Sequence, residues 1–107
     1  MADARIQVPA AVRPGEPFEV KIIIRHAMET GFRLTDDGAK VPRNLVRELL
    51  CRFNGEVVFR AEPGSGISAN PMFGFWLAVR EPGELVFDWV DDAGVRGSDR
   101  ATLRIAG

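Results

Sequence analysis

Cysteine and histidine occur once each in this chain, and neither sign of charge is in surplus. Each scarcity excludes something. A single cysteine, Cys51, rules out an internal disulfide and the cysteine pair of antibody-type domains. With 14 basic and 15 acidic residues and a net charge of -1, the chain lacks the basic footprint that nucleic acid requires. No run of like charge marks a tail or a membrane-surface patch. The longest apolar run, Phe73 to Val79, is far shorter than the ~20 residues of a membrane span. Ala2-Asp3-Ala4-Arg5 leads directly into a strand-like segment, so no signal peptide is expected, which by itself points to the cytoplasm. There is no internal repeat, linker or low-complexity segment, and the 107 residues are expected to form one domain spanning 1–107.

What is present is alternation. In Pro17 to Gly31, Phe18, Val20, Ile22 and Ile24 alternate with Glu19, Lys21 and Arg25, the period of two of a pleated strand. Ile23 breaks the pattern by placing an apolar side chain on the polar face. A short strand over Arg5 to Val8 precedes it, and Pro14-Gly15-Glu16-Pro17 is a turn. A loop is expected from Ala27 to about Pro42, with a second turn at Thr35-Asp36-Asp37-Gly38. Leu45, Val46, Leu49 and Leu50 also fit helical spacing after Pro42. Asn54-Gly55 decides for strands, because both central positions of a tight hairpin turn need positive φ. Arg47 to Phe53 and Glu56 to Ala61 are therefore read as a hairpin, with Phe53 opposite Glu56, Cys51 opposite Val58 and Leu50 opposite Phe59. One face then carries Leu49, Cys51, Phe53 and Val58, and the other Leu50, Val57 and Phe59.

Pro63 to Pro71 reads as a loop, and strands follow over Phe73 to Arg80 and Leu85 to Val90. After the turn at Asp91-Asp92-Ala93-Gly94, Thr102 to Ile105 closes the chain with Leu103 and Ile105 inward. About seven strands at intervals near the ~8–12 residues of sandwiches predict an all-β fold, an immunoglobulin-like antiparallel β-sandwich.

Few residues suggest chemistry. His26, Met28 and Cys51, with Met72 as a further sulfur donor, are soft ligands that would suit a small copper- or redox-handling domain. A blue-copper centre needs two histidines, so no metal is assigned, and the simpler role for His26 is a backbone cap. Ser65 or Ser68 with His26 and an aspartate lacks the spacing and the elbow of a hydrolase. The pairs Asp36-Asp37 and Asp91-Asp92 read as solvated turn residues rather than an acid/base pair. Gly64-Ser65-Gly66 is too short for a phosphate loop and no lysine follows it. The apolar neighbours of Cys51 predict an inert thiol. Neither catalysis nor a cofactor is expected. Ile23, Trp76, Val86 and one face of the hairpin, including Val58, put apolar side chains where a free-standing sandwich would be polar. That surplus points to a protein partner, or to self-association.

Arg25-His26-Ala27-Met28-Glu29-Thr30-Gly31, Val41-Pro42-Arg43, Phe53-Asn54-Gly55-Glu56, Ile67-Ser68-Ala69-Asn70-Pro71 and Phe87 to Gly94 resemble the SoxZ family, in order and over nearly the whole chain. Ala27 stands where the family usually has proline, which loosens the turn and removes no functional group. The resemblance implies a non-catalytic subunit of the carrier complex of bacterial thiosulfate oxidation. It implies pairing with a SoxY subunit, whose flexible glycine-rich arm carries the sulfur substrate on a cysteine. It also implies a periplasmic location, with export driven by the partner's signal. Ile23, Val58 and Trp76 are then candidate partner contacts. His26, Met28 and the Ser68 to Pro71 loop with Asn70 are candidates for a surface that docks the Sox enzymes. In the absence of the partner, the isolated chain is expected to form a homodimer.

Overall fold

The computed structural model describes residues 4–63 and 69–106. Seven strands form, β1 (Ala4–Gln7), β2 (Phe18–Ile24), β3 (Val46–Phe53), β4 (Glu56–Ala61), β5 (Met72–Leu77), β6 (Gly83–Asp91) and β7 (Arg96–Leu103). They make two antiparallel sheets, one ordered β1-β2-β5 and the other β4-β3-β6-β7. No helix occurs among the described residues, so the fold is the expected all-β sandwich.

The alternation in β2 does what its spacing predicts. Phe18, Val20, Ile22 and Ile24 are buried, while Glu19 faces out and Lys21 and Ile23 are half-buried. Across the sandwich they meet Leu49 and Cys51 of β3, Leu85, Phe87 and Trp89 of β6, and Leu103 of β7. Burying each large apolar side chain stabilises the fold by about 1.5–3 kcal/mol relative to exposure. The flank between the two edge strands β4 and β5 is closed by aromatic packing. Phe59 stacks on Phe75 with ring centroids 4.4 Å apart and planes 5° apart, and Phe75 meets Phe87 at 6.3 Å.

Three sequence expectations change. The hairpin holds its predicted pairing only at Phe53 opposite Glu56; beyond Arg52 opposite Val57 the register shifts, so Cys51 faces Phe59 and Leu50 faces Arg60. The cause is a β-bulge at Val58, which inserts one residue and returns Phe59 to the core side. Val58 and Phe59 both pack against the core, and only Val57 of the three stands exposed. The last strand starts at Arg96 rather than Thr102. Its inward Gly97 lies beneath the Trp89 indole, which fills the space a side chain would take.

The third change refines the loop expected from Ala27 to about Pro42: it holds no strand, but isolated bridges draw residues 29–44 together into a narrow ribbon. Glu29 and Asn44 exchange backbone hydrogen bonds of 2.8 and 2.7 Å at its root, the Val41 N–H donates to Arg33 O at 2.9 Å, and Leu34 bridges Lys40. The Thr35-to-Gly38 turn caps it, with Gly38 at φ 86° and the Thr35 hydroxyl bonded to Asp37. All residues from Phe32 to Lys40 are exposed. The molecule measures 60 × 24 × 19 Å, whereas its longest strand, nine residues, spans only ~30 Å. The ribbon supplies an arm standing off the body.

Candidate functional site

Where β2 ends, the chain turns through Arg25 and His26 and enters the ribbon. Asn70 holds this turn from the other side: its side-chain Oδ1 accepts the His26 N–H at 3.1 Å, and its own N–H donates to His26 O at 2.7 Å. The two residues singled out from separate motifs are thus neighbours. Asn70 does this in the left-handed region at φ 50°, which asparagine tolerates. Met28 is left-handed too, at φ 53°, a conformation costing on the order of 1–3 kcal/mol for a residue other than glycine.

The His26 ring offsets that strain. Its Nδ1 accepts the Met28 N–H at 2.9 Å, and its Nε2 lies 3.1 Å from Asp91 Oδ2. A backbone N–H can only donate, so Nδ1 carries no proton and Nε2–H donates to Asp91. Asp91 is the one buried charged residue among the described residues. Its Oδ1 accepts the Val95 N–H at 2.9 Å, and its Oδ2 also accepts from Asn44 Nδ2 at 3.3 Å. Burial alone would raise its carboxyl, but the hydrogen bonds from His26, Val95 and Asn44 outweigh that and hold it below the ordinary value. Asp92 secures the ribbon's other leg, accepting the Leu45 N–H at 3.1 Å and pairing with Arg43 at 3.4 Å. Asp91, expected to be a solvated turn residue, is instead buried and anchors the ribbon root, while Asp92 is exposed in the turn as expected and adds its bond to Leu45. The available signal was the Asp-x-x-Gly turn, which shows a turn but not that its first carboxylate points inward.

This geometry answers the chemical alternatives. Both ring nitrogens of His26 are engaged, so the ring offers no lone pair to a metal or to a serine hydroxyl. Met28 is not at the surface: it is buried, and its Sδ accepts the Val46 N–H at 3.3 Å. Cys51 lies five residues further along β3, about 16 Å at ~3.3 Å per residue, too far to share an ion with Met28. It is fully buried, and burial, with the Asp88 charge second, pushes its thiol up to about 12. Among the described residues no group of three or more His, Cys, Asp or Glu could hold a metal. The copper or redox reading of His26, Met28 and Cys51 is not supported.

The remaining candidates fall into two places. Trp76 is 68% exposed on the outer face of β5, beside Met72 at 61%, and half-buried Ile23 lies opposite Met72 on β2. Val86 and Val58 are half-buried, with Val58 turned to the core. Ser68, like Ser65 and Gly64-Ser65-Gly66, lies outside the described residues. On the ribbon Phe32 is 83% exposed and Leu34 56%. Sequence reasoning passed over both, although their alternation with Arg33 and Thr35 just before a turn is a strand signal. His26 and Met28 are engaged at the ribbon's foot and hold it up, while the exposed apolar side chains stand further out.

In comparisons with known proteins, no curated protein sequence matches the chain. Solved structures share its fold. Superoxide reductase (neelaredoxin) from Ignicoccus hospitalis superposes with a TM-score of 0.76 at 18% identity, covering 96% of this chain and 80% of that one. A point variant of the same Ignicoccus hospitalis protein covers 98% and 81% at the same score and identity. A Thermotoga maritima chain classed with superoxide reductases gives 0.74 at 12% identity, covering 97% and 86%. At such identities the likeness is one of fold. The family described as "Sulphur oxidation protein SoxZ" matches residues 6–102. With the match extending over nearly the whole sandwich, the chain belongs to the SoxZ family.

Proposed function

We propose that this chain is the non-catalytic half of a sulfur carrier in the Sox pathway of thiosulfate oxidation. It pairs with a SoxY-type subunit whose cysteine arm carries the substrate, is exported with that partner to the periplasm, and presents the ribbon to the enzymes that the arm visits. The observation that carries the reading is the placement of apolar side chains. Trp76, Phe32 and Leu34 stand in solvent on a sandwich whose core is filled, while the lone histidine and cysteine are engaged or buried. A chain with exposed aromatic anchors is suited to binding other proteins. The Trp76 face serves the partner and the ribbon serves the enzymes.

Co-expression with a SoxY-type subunit tests this. A stable one-to-one complex is expected, weakened at least tenfold by Trp76→Ala and unchanged by Phe32→Ser. Sulfur oxidation by the reconstituted system should show the opposite dependence, falling with Phe32→Ser. Failure of the two chains to associate would refute the reading.

A further inference from the structure

A sandwich sheet has edges, and a free edge invites another strand unless the sequence blocks it. Three of the four edges here are blocked. β1 has only four residues, with Arg5 and Gln7 outward. β4 is broken by the bulge at Val58 and carries Glu56 and Arg60. β7 carries Arg96, Asp99 and Arg100. β5 differs from all of these. Its six residues, Met-Phe-Gly-Phe-Trp-Leu, include no charge, no proline and no bulge, and among the described residues only β2 pairs with it.

The pattern along β5 also matches itself when reversed. Met72, Gly74 and Trp76 face outward, and Phe73, Phe75 and Leu77 inward. If two copies of the strand lie antiparallel with Gly74 opposite Gly74, Met72 of each stands opposite Trp76 of the other. Phe73 likewise stands opposite Phe75, twice, on the core side. Each outward pair sets a thioether against an indole, a favourable contact, and the small glycine sits where the two outer rows converge. No like charges oppose each other within the strand pair. On β2, the Glu19–Lys21 ion pair over Gly74 would lie about 14 Å from its counterpart, three strand spacings away, and beyond a Debye length of ~8 Å.

We propose that β5 is a self-complementary edge on which a second copy of this chain docks antiparallel about a two-fold axis at Gly74, forming a continuous six-stranded sheet. This goes beyond the carrier reading. It also gives the isolated chain a way to cover Trp76 and Met72 that a partner subunit would displace.

The register makes the proposal testable by charge exchange at two exposed positions, with circular dichroism confirming that each variant folds. Sedimentation equilibrium of the isolated chain should show a monomer–dimer equilibrium. Met72→Lys and Trp76→Glu alone should each weaken it. Met72→Lys/Trp76→Lys opposes lysines twice across the axis and should leave monomer. Met72→Lys/Trp76→Glu opposes lysine to glutamate twice and should dimerise roughly tenfold or more tightly than the double-lysine variant. A wild-type chain that stays monomeric at several hundred micromolar overturns the proposal, as do double variants that associate equally. A monomer that still binds a SoxY-type subunit would overturn it and leave the carrier reading intact.

Discussion

Replacing Asp91 by asparagine tests the ribbon root most sharply, because the substitution keeps size and removes only the ability to accept at both oxygens. In the native chain three donors converge on this carboxylate: His26 Nε2–H, Asn44 Nδ2 and the Val95 N–H. An asparagine can serve either Val95 or His26 with its one oxygen, and its NH2 then points at a donor. His26 cannot relieve the conflict by moving its proton, since Nδ1 would then face the Met28 N–H. Asn44 cannot turn its amide, because its Oδ1 accepts the Ala93 N–H at 3.2 Å. Each buried donor left unpaired costs about 1–3 kcal/mol. The His26 ring keeps 14% of its surface in solvent, so the lower end applies: ~2 kcal/mol for Asp91→Asn and ~3 kcal/mol for Asp91→Ala. Urea unfolding followed by the fluorescence of the buried Trp89 measures both. Acid adds a second axis. Because the folded carboxyl lies below its ordinary value, its contribution is full above the unfolded carboxylate value near ~3.9 and is lost as pH falls through the folded one. The gap between wild type and Asp91→Ala should therefore close on acidification below about pH 4. An Asp91→Asn variant within ~0.5 kcal/mol of wild type at neutral pH would refute the proton assignment on His26 and the anchoring role built on it.

Other consequences follow from single features. Cys51, with its thiol pushed up to about 12, should resist alkylating reagents at pH 8 until the chain is unfolded, as a thiol titration with and without urea will show. Gly97→Ala should cost about 1–3 kcal/mol, since the new methyl collides with the Trp89 indole, and near-ultraviolet circular dichroism should register the displaced ring. Leu49→Ala removes a fully buried side chain between the sheets and should cost ~2–5 kcal/mol by denaturant titration. Phe32→Ser and Leu34→Ser, both on the exposed ribbon, should change stability by no more than ~0.5 kcal/mol while reducing sulfur oxidation in the reconstituted system.

Strands with one face in the core were legible because burial imposes a period of two, and β2 and β6 display it in their residues. Asn54-Gly55, both at positive φ, fixed the hairpin turn. The bulge at Val58 was not legible: Val57, Val58 and Phe59 are all apolar, so no change of face shows in their chemistry. β7 was underread for the opposite reason, since Gly97 packs by leaving room for Trp89 rather than by being apolar. At the candidate site, His26 and Asn70 were picked out as separate motifs, and the structure brings them into contact. Asp91, the residue joining the turn to β6, could not be recovered, because a carboxylate in a turn looks the same in sequence whether it faces water or an imidazole. Met28 was misplaced for a related reason: a methionine after a histidine reads as a ligand, while its buried sulfur serves one backbone N–H.

The ribbon is clamped at its foot by both sheets: Asn70 ahead of β5 holds the turn after β2, while Asp91 and Asp92 at the end of β6 hold both legs. The ribbon's root is thereby tied to the sandwich itself. Occupancy of the tip should be felt at the amides of Met28 and Val95, slowing their exchange with solvent although neither touches the visitor. On the docking proposed above, the arm sets how far from the body, and at what angle, an incoming enzyme comes to rest.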